Sequence, residues 1–142
     1  MKKLFIVICI PILVFAACES ETIIEPPIES QYEEGVEFML EFNETKECTC
    51  GGPLISFTQL VEESRCPTEV VCIWGGQVIV QLDINEQAVE LGLSSQISVQ
   101  AKDTIGQWTI ELLAVRPHPV SSSDLEDVNA EDYEIDLIVE SL

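Results

Sequence analysis

The stretch Gln77-Val78-Ile79-Val80-Gln81-Leu82-Asp83-Ile84 decides the fold class. Val78, Val80, Leu82 and Ile84 fall on one side of an extended chain, opposed by Gln77, Gln81 and Asp83. Successive side chains of a strand point in opposite directions, so a period of two marks a strand with one face in a core and one in water. The same period recurs on both sides of this stretch. Val36, Phe38, Leu40 and Phe42 alternate with Glu37, Met39 and Glu41, and Ile55, Phe57 and Val61 are predicted to share a face. Trp108, Ile110, Leu112 and Ala114 alternate with Thr109 and Glu111; Tyr133, Ile135, Leu137 and Val139 alternate with Glu134, Asp136 and Glu140. Shorter strands are predicted at Ala88 to Leu91 and at Ile97 to Ala101. About seven strands are therefore expected, parted by Gly, Asn, Ser and Pro clusters, with at most one helical turn between Asp124 and Asp132. That pattern predicts an all-β domain: a single antiparallel β-sandwich of immunoglobulin-like kind, or a partly open barrel.

The beginning of the chain reads differently. Lys2 and Lys3 precede an apolar run from Leu4 to Phe15, broken only by Pro11. The run is too short for a bilayer core about 30 Å thick, which takes roughly 20 helical residues. It has the build of a secretory signal, closed by the small residues Ala16 and Ala17. Phe15-Ala16-Ala17-Cys18 resembles the bacterial lipobox, with Phe where Leu is usual, and this implies acylation of Cys18 and removal of residues 1–17. Glu19 after the cysteine, in place of Asp, resembles the outer-membrane choice. The expected address is thus the bacterial cell envelope, with the chain tied to a membrane by its lipid. Residues 18–35 carry glutamates around Pro26-Pro27 and read as the lipidated cysteine and an extended acidic tether. The β-domain is expected over 36–142.

Charge narrows the partners. The chain holds 26 acidic and 6 basic side chains, a formal charge of −20. Loss of Lys2 and Lys3 with the signal would take it to −22. Such a surface is repelled by nucleic acid and by anionic headgroups, so no nucleic-acid partner is expected. An envelope protein or glycan is the partner class left open.

The most distinctive motif is Ser64-Arg65-Cys66-Pro67-Thr68-Glu69-Val70-Val71-Cys72-Ile73-Trp74-Gly75-Gly76. An exported compartment is oxidising, so Cys66 and Cys72 can pair. Closing a loop of that size is worth roughly 2 kcal/mol. Pro67 stiffens the loop, and Gly75-Gly76 lets the chain turn into the next strand. Trp74 is expected to lie over the bridge as core, and Arg65 to answer Glu62, Glu63 or Glu69 or to stack on the indole. If the loop carries an exposed binding determinant, Arg65 and Trp74 are the candidates. The motif resembles one found in small secreted or lipid-anchored bacterial β-domains: Ser-Arg-Cys-Pro, a second Cys six residues on, then Trp and Gly. Pro117-His118-Pro119 and Glu131-Asp132-Tyr133 fit the same pattern. The resemblance implies an exported β-architecture over about Val36 to Leu142 and carries no reaction with it.

Cys48-Thr49-Cys50 departs from that pattern. With Cys66 and Cys72 these thiols allow three pairings. Proximity favours Cys66 with Cys72 and leaves Cys48 with Cys50, but spacing does not decide it. A redox Cys-x-Cys pair and a four-cysteine metal site are the competing readings.

Nothing else assembles a reaction. The chain has one histidine, His118, and lacks the nucleophile-elbow, zinc-protease and phosphate-loop motifs. The acidic run from Asp124 to Asp132 has spaced oxygens but not the order of a calcium loop. The expectation is a non-enzymatic binding or accessory module with no cofactor and no metal. The alternative is a thiol-redox or metal-binding periplasmic protein using Cys48, Cys50, Cys66 and Cys72.

Overall fold

The computed structural model describes residues 30–94 and 100–142. The predicted signal, Cys18 and all but the last residues of the predicted tether lie outside the described residues, as does most of the strand expected at Ile97 to Ala101. Among the described residues no helix is long and apolar enough to cross a membrane.

Two open sheets face each other. The first holds β1 (Gln31–Tyr32), β3 (Thr45–Cys48), β4 (Leu54–Glu63), β5 (Gln77–Ile84) and β6 (Gln87–Ser94), in the order β1-β3-β4-β5-β6. The second holds β2 (Phe38–Glu41), β9 (Glu134–Ser141), β8 (Trp108–Arg116) and β7 (Lys102–Ile105), in the order β2-β9-β8-β7. Neither sheet closes on itself, and the two-sheet arrangement is that of the expected β-sandwich. The pairs are antiparallel except β1 with β3, which run parallel. The strand that decides the fold behaves as its period requires. Val78, Val80, Leu82 and Ile84 of β5 are fully buried, and they meet Leu40, Ile110, Leu112, Ile135, Leu137 and Val139 from the opposite sheet. Each such side chain contributes about 1.5–3 kcal/mol of gross burial energy, which makes this shared face the main store of stability.

The strands number nine among the described residues, against the seven expected. Three of them, β1, β3 and β7, lie outside the seven expected segments, and all three are short. β3 carries Thr45, Lys46 and Glu47 and buries only Cys48, so it has too little apolar alternation to be read. β1 lies inside the stretch assigned to the tether. Tyr32 is buried, stacks on Phe38 with ring centroids 4.3 Å apart and donates its hydroxyl to the Pro53 carbonyl at 2.6 Å. Burial pushes the Tyr32 phenol well above its usual range. The packed domain thus takes in residues ahead of position 36.

Three register slips correct two predicted faces. In β4 the register slips between Phe57 and Gln59 and again between Leu60 and Glu62. Phe57 stays inside, Leu60 packs against the core, and Val61 turns outward instead of sharing the face of Ile55. In β8 a slip between Leu112 and Ala114 brings Val115 into the core and leaves Leu113 outside. An extra residue on one strand reverses every later side chain, and no period in the sequence marks it. Between β8 and β9 the chain makes two short 3-10 turns, Ser122–Leu125 and Ala130–Asp132, where one turn was expected.

Candidate functional site: a bridged loop with an apolar tip

The loop between β4 and β5 is built on its root. Ser64 donates its backbone N–H to Gln77 at 2.8 Å, and Cys66 donates its own to Gly75 at 3.0 Å, so the two ends of the loop run side by side. Gly76 closes the turn at φ 68°, where a Cβ would stand 1.8 Å from the Ser64 carbonyl oxygen. Only glycine fits there. The sequence expectation for the Gly75-Gly76 pair holds at this second position for a steric reason as well as a conformational one.

Arg65 is the fastener. Its Nε donates to both carboxylate oxygens of Glu63, at 2.9 and 3.0 Å, and its Nη2 also meets that carboxylate. Nη1 donates to the Val115 carbonyl and Nη2 to the Pro117 carbonyl, both at 2.7 Å. The Glu63 side chain is only 1% exposed and that of Arg65 only 10%. One guanidinium thus ties the end of β4 in the first sheet to the end of β8 in the second. The Tyr133 hydroxyl is raised above its usual range, first by burial and then by the Glu63 charge beside it. Arg65 is therefore not an exposed determinant. Its donors are consumed inside the fold, by the carboxylate of Glu63 among the three glutamates considered for it and by two carbonyls that no local pattern reveals.

Beyond the root the loop crosses to the second sheet. Thr68 and Glu69 donate their N–H groups to the Pro119 and Val120 carbonyls at 3.1 and 3.0 Å. Cys66 and Cys72 are bridged across a sequence separation of 6. Cys72 is itself exposed, so the bridge lies over solvent and not over core. Here a second expectation is overturned. Trp74 is 57% exposed, because the chain has already left the sandwich when it reaches position 74 and returns only at Gly76. Its neighbours go further: Val71 is 99% exposed and Ile73 105%, with Val70 also exposed. The loop therefore holds out a tip of Val70, Val71, Ile73 and Trp74. The sequence carried a signal for this tip, since Val71 and Ile73 flank a cysteine inside a loop with no strand period to bury them.

The other two cysteines lie at the far end of the first sheet. Cys48 and Cys50 are bridged, with Cys48 buried and Cys50 exposed. The Cys50 N–H reaches Cys48 Sγ at 3.2 Å, and the Thr49 N–H is taken by the Tyr32 carbonyl at 2.9 Å. A Cβ on Gly52 would meet Cys50 Sγ at 3.1 Å and the Trp108 ring at 3.2 Å. This small ring therefore fastens β1 and seats the turn against the second sheet. Four cysteines in two separate bridges do not assemble the four-thiolate metal site considered from the spacing.

The Pro117-His118-Pro119 segment borders a depression of about 340 Å³, lined also by Val120, Asp124 and Tyr133. The Arg116–Pro117 bond is cis. His118 is exposed, with Nδ1 2.9 Å from the Pro119 carbonyl oxygen. Asp124 is committed to the chain itself, accepting from the N–H groups of Val120 and Ser121 at 2.7 and 2.9 Å and from the Ser121 hydroxyl. These bonds hold its carboxyl below the usual carboxylate range. Among the described residues no three His, Cys, Asp or Glu side chains come together in a way that could hold a metal ion.

No family model, curated protein or solved structure matches this chain.

Proposed function

We propose that this chain is a lipid-anchored, non-enzymatic binding module of the bacterial cell envelope, tied to the membrane through Cys18 and engaging a partner through the loop 66–76. The observation that carries the reading is the exposure of Val71 and Ile73 on a bridged loop. Elsewhere in the described chain, Leu142 apart, large branched side chains go into the core or are at least half covered. Two of them standing free in succession add nothing to folding, and they incur a solubility cost unless something covers them. The bridge limits what the loop loses on being held, and a tryptophan beside the tip is a frequent centre of binding energy. The address is supported by Lys2-Lys3, the apolar run and Phe15-Ala16-Ala17-Cys18, and by the acidic tether that would carry the domain clear of the bilayer.

The test follows acyl label and chemical cross-linking of the full chain in the cells that make it. Cys18→Ser is expected to lose the label. The double variant Val71→Ser with Ile73→Ser is expected to keep the label and lose the cross-linked complex. Persistence of the complex in the tip variant overturns the docking reading; persistence of label in Cys18→Ser overturns the anchor.

A further inference from the structure

What covers the tip is decided by the charge around it, and the argument rests on the docking reading just proposed. The apolar patch does not end at Trp74. Through the Glu69–Val120 backbone bond it continues to Val120, which is exposed as well. Apart from Arg65, which is buried at the root against Glu63, the ionised groups that the hydrogen bonds of the loop place around this patch are acids. Glu69 stands in the loop itself. Asp124 holds the Val120 N–H. Glu62, at the root, accepts from the Ser64 hydroxyl and the Gln77 amide, both at 2.7 Å. Those bonds hold the carboxyls of Glu62 and Asp124 below the usual carboxylate range, so both are charged at neutral pH.

The cations are all engaged. Among the described residues there are four lysines and arginines, and each is ion-paired: Lys46 with Glu44, Arg65 with Glu63, Lys102 with Glu111, and Arg116 with Glu134 and Asp136. This decides between the possible coverings. A short apolar element holds to a bilayer surface by its buried area together with attraction to anionic lipid, and this tip has the first and is opposed in the second. A second copy would bring acid against acid in a chain of net charge −20.

We propose that Val71, Ile73 and Trp74 seat in an apolar socket of a second envelope protein whose rim carries lysine or arginine side chains, which meet Glu69 and Asp124. The apolar tip then sets how long the complex lasts, and the acidic rim sets how fast it forms and which sockets are refused.

A photo-cross-linking residue at position 73 (Ile73→p-benzoylphenylalanine), in the full lipid-bearing chain and in its own cells, reads the covering directly. The adduct is digested and sequenced, and the purified partner is then titrated with the domain. The expected adduct is a peptide of another protein with apolar residues among lysines or arginines. Its affinity should fall by about tenfold or more between low and roughly 0.5 M salt. Glu69→Lys, an exposed change expected to leave folding intact, should weaken the complex by a similar factor. Adducts on lipid or on the chain itself overturn the socket while leaving the loop as a docking element. A protein adduct whose affinity ignores both salt and Glu69→Lys overturns the cationic rim. Absence of any adduct at position 73, with adducts forming from an exposed site elsewhere on the domain, removes the docking reading as well.

Discussion

The root and the tip of one loop, no more than eleven residues apart in sequence, are built on opposite rules. At the root the buried polar side chains all have partners: Glu63 is sealed, Arg65 spends its donors on it and on two carbonyls at the end of β8, and Gly76 leaves no room for a methyl group. At the tip Val71 and Ile73 touch water over their whole surface. The bridge between Cys66 and Cys72 is the boundary. The difference separates two roles that the motif compresses into thirteen letters: Ser64, Arg65 and Gly76 hold the sandwich together, while Val70, Val71, Ile73 and Trp74 are what the sandwich presents.

The comparison can be broken most sharply at Arg65. Arg65→Ala leaves a carboxylate in the interior with no counter-charge and strips two carbonyls of their donors. Breaking a buried pair from one side costs about 3–5 kcal/mol. Thermal unfolding of the soluble domain should therefore fall by at least about 12 °C. A melting curve unchanged by this substitution would mean that the root is not the fastener described here.

The boundary comes next. Replacing Cys66 and Cys72 together by alanine removes a closed loop of small size, worth roughly 2 kcal/mol. The midpoint should drop by several degrees while the Arg65 contacts, which precede the bridge, stay in place. A hydrogen-exchange map checks this: protection should be lost at Thr68, Glu69 and Val70 and kept at Val115 and Tyr133. Loss at those two positions would show that root and tip are one unit.

The tip should matter least to stability. Val71→Ser with Ile73→Ser touches no packed surface and is expected to move the unfolding free energy by no more than about 0.5 kcal/mol. A large destabilisation would show that these side chains pack in solution and that the division between root and tip is wrong.

Much of the sandwich was legible because burial in a strand is a local property. Val78, Val80, Leu82 and Ile84 declare their face within eight residues, and so do Tyr133, Ile135, Leu137 and Val139. Where the expectations missed, the cause was an interaction that alternation does not encode. Val61 and Ala114 stand beyond bulges. β1 at the sheet edge and β3 beside it are short strands whose burial comes down to Tyr32 and Cys48. At the site, the sequence singled out the right loop by its cysteines, prolines and glycines and had Glu63 among the partners of Arg65, but it put Trp74 in the core and did not show that Arg65 is buried.

Those two residues mark the division. The sequence by itself determined the long strands and their apolar face up to the bulges, and that one loop departs from the period and carries two cysteines able to bridge. Only the tertiary structure decided that Arg65 is inside and Trp74 outside. The carbonyls that hold Arg65 belong to Val115 and Pro117, 50 and 52 residues further along the chain. A charged side chain goes inward only where partners wait for it, and an apolar one stays outward where the backbone has already left the core. Neither condition exists until the second sheet is laid over the first.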